Sequence, residues 1–298
     1  MNAPGTRFPM QDAEAVAGLL DEAAAAMLAL PVRRGSSVRL GSRGRILLTG
    51  DLHDHPLHFA ATCRLARLDE SPDHHLVLHE LIHGDRLMNG LDMSYRMLCK
   101  AALLSLAHPG QVHVVLANHE LAQAFRQPVS KGAGDNLQLF DDALEWAFGD
   151  DAPLVDEAIG RFVRALPVAV RCENGLMLSH SLPSPWELDG FDLGMPDRRL
   201  VDDDYALRTG SAWRMVWGRG WTAEETRSLA AAWGVRTFVV GHSHVEAGAD
   251  AVARDLLVIN SDHEAGRVVP VDLAEECPDA LTLVGRCLPL AAFGDVDG

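Results

Sequence analysis

Five times along the 298-residue chain, an apolar, strand-like run ends on residues that can bind a metal ion. The runs are ILLTG before Asp51 and His53, LVLHELIHG before Asp85, VHVVLA before Asn118 and His119, GLMLS before His180, and TFVVG before His242 and His244. In layered α/β folds, sites collect at the carboxyl ends of strands. The ligand blocks from 51 to 244 therefore have to meet, which makes the catalytic unit one domain. Asp, Asn and His donors suit two mid-sized divalent ions such as Mn²⁺, Fe or Zn²⁺. No cysteine takes part, which argues against a structural thiolate zinc site. A lone Asp-x-His or a single strand-end His is usually a core or surface residue; the ordered set of five carries the argument.

The rest of the chain supports alternation of strands and helices. Residues 11–30 have the spacing of an amphipathic helix, with Val16, Leu19, Leu20, Ala23 and Met27 on one face and Pro31 as its stop. SVRLGSRGRILLTGD looks like two strands joined by a glycine-containing turn. Pro56 is placed to open a helix, and Tyr95, Cys99, Ala102 and Leu106 share a helical face. VAVRCENGLMLSHS resembles a hairpin turning at Glu173–Gly175. Thr222 and Glu225 form a capping box for a helix that Gly234 ends. The pattern is that of an α/β protein. The expected organisation is an N-terminal helix and lead-in over 1–40, one domain over 41–270 with a helical insert at about 121–160, and a C-terminal extension over 271–298.

A net charge of −16 argues against a nucleic-acid or anionic-membrane partner, because phosphate backbones are gripped by basic surfaces. It does not exclude a small phosphorylated substrate, since bound metal ions reverse the local sign. No run approaches the ~18 apolar residues of a membrane helix, and the first 20 residues do not read as a signal peptide. Five scattered cysteines without a CxxC pair fit reduced thiols in a cytoplasm.

The blocks GDLHDH, GDRLMNG, ANHE, SHSLPSP and GHSH, spread over residues 44–262, resemble those of the calcineurin-like metallophosphoesterases. FVRALPVAVRCENGLMLSHSLPSP is similar to the corresponding stretch of their phosphoprotein-phosphatase branch. The resemblance implies a metallophosphoesterase-type αββα sandwich, two packed mixed β-sheets flanked by helices. It also implies a hydrolase of phosphomonoesters, acting on a small molecule or a phosphoprotein, that uses two divalent ions, Mn²⁺ foremost. By the same resemblance Asp51, His53 and His244 would hold the first ion, Asn118, His180 and His242 the second, and Asp85 would bridge them. A water shared by the ions would attack phosphorus, and His119 would protonate the leaving oxygen as general acid. A phosphodiesterase or dinucleoside-polyphosphate hydrolase with the same metals is the alternative activity, and a silent metal-binding scaffold the reading from another class.

The chain departs from that branch in its second block. GDxxDRG becomes GDRLMNG, so Met88 and Asn89 replace the Asp that orients the catalytic His and the Arg that grips phosphate. Arg86 is a candidate replacement grip, and Arg219, in VWGRGW, is a second candidate phosphate contact. Asp54, Asp92 and Glu120 are each candidates to orient His119. Glu80 is the alternative bridging carboxylate; Asp85 is preferred because it follows Gly84 in a GD block with Gly90 five residues on. His79-Glu80-Leu81-Ile82-His83 also matches HExxH, the zinc-protease motif, but that motif needs a helix and Gly84 would end one at once. The insert between Glu120 and Phe162 is the candidate for substrate selection; it contributes helices and a loop, PVSKGAGDN, that carries Lys131. The tryptophans Trp213, Trp217, Trp221 and Trp233 have the spacing of packing residues, and His263 falls near the site.

Overall fold

The computed structural model describes residues 8–129 and 135–293. Lys131, assigned above to the substrate loop, lies outside the described residues. The chain runs through α1 (Ala13–Ala29), β1 (Arg33–Arg34), β2 (Ser37–Leu40), β3 (Arg45–Asp51), α2 (Pro56–Ala66), β4 (His74–His79), α3 (Tyr95–Ala107) and β5 (Val112–Val115). The insert follows as α4 (Asn118–Phe125), α5 (Asn136–Phe148) and α6 (Ala152–Ala165). The second half contains β6 (Ala169–Cys172), β7 (Leu176–Ser179), α7 (Ser211–Trp217), α8 (Ala223–Trp233), β8 (Thr237–Val240), β9 (Ala249–Ala253), β10 (Leu256–Ile259), β11 (Arg267–Asp272), α9 (Ala280–Arg286) and β12 (Leu288–Pro289).

Two mixed sheets result. One has the order β1-β2-β6-β7-β8-β10-β9, the other β12-β11-β3-β4-β5. Within them β3, β4 and β5 are parallel, as are β7, β8 and β10, while β6 and β7 form the expected antiparallel hairpin. Its turn uses Gly175 at φ 99°, a backbone region that costs a side-chain-bearing residue energy.

Successive strand residues point to opposite faces, and both faces are buried here. Ile46 and Leu48 of β3, Val77 of β4, Val239 of β8 and Leu257 and Ile259 of β10 meet in the layer between the sheets. Their neighbours Leu47, Leu76, Leu78, Phe238, Val240, Leu256 and Val258 face the helical layers. That double burial explains the continuous apolar runs, as parallel strands covered on both sides require. The outcome is the α/β architecture of two packed sheets flanked by helices.

The helix ends follow their sequence signals. Asp12 caps α1 by accepting from the Ala15 N–H at 3.0 Å, and the Glu225 carboxylate accepts from the Thr222 N–H at 3.1 Å at the start of α8. The N-terminal segment is integral to the core: α1 packs on α3 and α6, and β2 runs parallel to β6. The C-terminal segment likewise closes a sheet edge, with β12 antiparallel to β11.

The two sheets touch at the end of β3. Asp51 bridges to Asn260, and the Ser261 N–H donates to the Asp51 carbonyl at 3.0 Å. A Cβ on Gly50 would stand 2.1 Å from the Ile259 carbonyl oxygen, so only glycine permits this approach.

Candidate metal centre

Every strand end that carries donors opens onto this seam. Asp51 is the last residue of β3 and His180 the first after β7, while Gly241 alone separates His242 from β8. Asn118 and His119 begin α4, just past β5. The backbone turns sharply where the donors sit: His53, Glu80 and His242 have φ of 41°, 50° and 64°. Such conformations cost on the order of 1 kcal/mol or more each and persist where surrounding structure enforces them.

Among the described residues three groups of donor atoms result, each within 4.8 Å: Asp51, His79 and His180; His53, Glu80 and His119; and Glu80, His180 and His242. Glu80 belongs to two of them. Its Oε2 lies 3.4 Å from His180 Nε2 and 3.6 Å from His53 Nε2, and its Oε1 4.0 Å from His119 Nε2. His180 Nε2 is also 2.6 Å from Asn118 Oδ1 and 3.1 Å from His242 Nδ1. Donors that bind one ion at about 2.0–2.2 Å stand roughly 3 Å or slightly more apart, so the Glu80, His180 and His242 spacings suit a shared cation. Both oxygens of Asp51 accept from the His242 N–H at 3.0 Å.

The electrostatics fit as well. Burial lowers the pKa of His180 well below the ordinary value, and burial followed by the Arg219 charge pushes His242 down to about 3. Neutral imidazoles keep the lone pairs that a metal needs. The donor set of carboxylates, imidazoles and one amide suits divalent ions such as Mn²⁺, Fe or Zn²⁺.

Most residues expected at the site are brought together: Asp51, His53, Asn118, His119, His180 and His242. Two are not. Asp85 is exposed and lines a cleft of about 320 Å³ with His53, Asp54, His55 and Arg86, whereas Glu80, buried and first after β4, occupies the middle of the donor groups. The reason is where the strand ends: β4 stops at His79, opposite Asp51, so the GD doublet falls in the loop beyond. His244 is exposed with its ring 5.0 Å from that of His263, outside the three donor groups. Between the two histidines of GHSH the backbone passes through the left-handed conformation of His242, at φ 64°.

HExxH has no helix: His79 closes a strand and His83 sits in a loop at φ 60°. Sequence reasoning missed both of these histidines as site residues. His79 Nδ1 lies 3.0 Å from His180 Nδ1, and the His83 ring is 5.4 Å from that of His119. Their signal was the HExxH match itself, read for another fold. Each of the three carboxylates considered for orienting His119 has another partner. Asp54 accepts from Arg86 at 2.7 Å, Asp92 binds His83 Nδ1 at 2.7 Å, and Glu120 accepts from the Leu81 N–H at 2.6 Å.

Arg219 lines a second cleft, of about 450 Å³, with Asn118, His119, Asp135 and Trp217. Trp217, expected only to pack, is stacked on Trp213, meets His242 edge-on and also lines this cleft.

The model of the calcineurin-like phosphoesterases matches residues 44–246, more than half of the chain and every donor block. The chain belongs to that family. The metal-dependent phosphoesterase activity of the family is thereby assigned to it, with a divalent metal site at the seam. Among solved structures it is similar to a protein serine/threonine phosphatase from Saccharomyces cerevisiae, at 17% identity and TM-score 0.62, over 87% of this chain and 82% of that one. It is also similar to a cold-active protein-tyrosine phosphatase of the psychrophile Shewanella sp., at 14% identity and TM-score 0.54, over 79% and 77%. At these identities the likeness shows the fold. No curated protein matches the chain. Among the described residues no helix is long and apolar enough to cross a membrane.

Proposed function

We propose that this phosphoesterase hydrolyses phosphomonoesters on a pair of divalent ions, Mn²⁺ foremost, with Glu80 as the carboxylate shared between them. Asp51 and His53 would hold one ion; Asn118, His180 and His242 would hold the other. The observation that carries this is the position of Glu80 Oε2, 3.4 Å from His180 and 3.6 Å from His53. Two ions set by such donors lower the pKa of water and clamp phosphoryl oxygens.

The chain's own residues supply the rest. His119 Nε2 faces Glu80 and the cleft, and would hold the proton that the leaving oxygen takes. Arg219, in the same cleft and within the field of Glu80 and Asp51, would grip a phosphoryl oxygen. Arg86 is tied to Asp54 and would shape the opposite cleft rather than bind phosphate. The Saccharomyces cerevisiae and Shewanella structures similar to the chain are a protein serine/threonine phosphatase and a protein-tyrosine phosphatase, which supports monoesters and admits a phosphoprotein substrate. All five cysteines are free, which fits a reducing compartment such as the cytoplasm.

The test compares p-nitrophenyl phosphate with bis-p-nitrophenyl phosphate in the presence of Mn²⁺, with an EDTA control. Faster, EDTA-sensitive monoester cleavage is expected. Preferred diester cleavage would replace the monoesterase with a phosphodiesterase.

A further inference from the structure

We infer that His79 is a positioning residue that fixes which nitrogen of His180 faces the donor groups. The inference rests on the metal-centre reading above and adds a residue to it. His79 is completely buried at the end of β4, and each of its ring nitrogens has a partner. Nε2 lies 2.9 Å from the Thr49 carbonyl oxygen. A carbonyl only accepts, so Nε2 carries the hydrogen, and the neutral ring then presents a lone pair at Nδ1. Nδ1 lies 3.0 Å from His180 Nδ1, so the proton between the two rings belongs to His180. His180 is left with a bare Nε2, the atom that faces Glu80, Asn118 and His242.

The ring is held in place from the other side too. A Cβ at Gly241 would stand 2.5 Å from His79 Cε1, so His79 fills the space beneath the GHSH turn. Its donor atom does cluster with those of Asp51 and His180. With both nitrogens engaged, however, it acts through His180 rather than as a ligand. Partners that hold the second nitrogen of a ligating histidine fix its tautomer and orientation, and their loss typically weakens metal binding about 10- to 100-fold.

Three variants separate this role from packing. His79→Asn keeps an acceptor where Nδ1 stood, His79→Gln keeps a donor where Nε2 stood, and His79→Phe keeps neither. Two readouts apply: Mn²⁺ binding by chelator competition, and the His180 tautomer in the metal-free protein by long-range ¹H–¹⁵N NMR. Wild-type and His79→Asn protein should show the Nδ1–H tautomer and similar Mn²⁺ affinity. His79→Gln and His79→Phe should lose that tautomer and bind Mn²⁺ about 10- to 100-fold more weakly. Equal weakening of the Asn and Gln variants would reduce His79 to a packing residue and overturn the inference. So would a His79→Phe protein that keeps the tautomer and the affinity. If His79→Phe does not fold, the Asn–Gln pair decides alone. A wild-type protein that bound no Mn²⁺ would overturn the metal-centre reading instead, and the NMR tautomer would still decide the role of His79.

Discussion

Replacing Gly241 by alanine tests the packing of the centre with one methyl group. The added Cβ would stand 2.1 Å from Asp51 Oδ1 and 2.5 Å from His79 Cε1, where ordinary contact begins at 3.4 Å. The carboxylate would have to retreat by about 1.3 Å. It cannot do so freely, because both of its oxygens hold the His242 N–H at 3.0 Å. The His79 ring is pinned between Thr49 and His180. Overpacking costs about 1–3 kcal/mol, and one or two broken buried hydrogen bonds add about 1–3 kcal/mol more. The sum of roughly 2–6 kcal/mol corresponds to a fall in Tm on the order of 10 °C for a domain of this size. Differential scanning calorimetry of the metal-free protein measures it, and metal analysis of the loaded protein should show weakened binding. A Gly241→Ala protein with wild-type Tm and metal content would refute the claim that Asp51 and His79 are immobile.

Glu80→Gln should abolish tight metal binding and activity, whereas Asp85→Asn should leave metal content near wild type; metal analysis beside turnover decides, and the opposite pattern would restore Asp85 as the shared carboxylate. Arg219→Ala should lower kcat/KM about 10- to 100-fold, the loss of one charged hydrogen bond of about 1.5–3 kcal/mol, while Arg86→Ala should change it little; equal effects would show that Arg86 also reaches phosphate. The pH dependence of the metal-free protein follows from its buried histidines. His79 is held at about 4 by burial, below its ordinary 6.5, so the unfolded chain takes up a proton between those values and the folded one does not. Stability is full above pH 6.5 and falls as pH drops toward 4, by on the order of 3 kcal/mol from His79 alone. Equilibrium urea unfolding of EDTA-treated protein between pH 7 and pH 5 should show the decline; a midpoint independent of pH would contradict it.

Much of the architecture was legible because it is local. The apolar runs behind Asp51, Asn118, His180 and His242 are strands ending where the donors begin, and the hairpin and the α8 caps follow from their turn and capping residues. The positions of Asp85 and His244 outside the donor groups depend on backbone direction rather than composition. Asp85 was favoured by a doublet, but parallel register with β3 sets where β4 ends, and that puts Glu80 at the seam. His244 was assigned to the first ion by the resemblance, yet beyond the turn at His242, with φ of 64°, its ring lies 5.0 Å from that of His263. Arg86 reads as free in sequence because Asp54, its partner, is 32 residues away. The pairing of His79 with His180 spans 101 residues, and no local pattern announces it.

The meeting of the two sheets at β3 has a kinetic corollary. Asp51, His53, Glu80 and Asn118 come from one leaf of the sandwich, His180 and His242 from the other. Ions held as proposed would therefore be rivets through both leaves, and parting the leaves would break up the donor set. Such partial opening has a free energy set by the interior between them, where Val239, Leu257 and Ile259 are buried. The residence time of the metal would then depend on the hydrophobic filling of the sandwich as well as on the donors themselves.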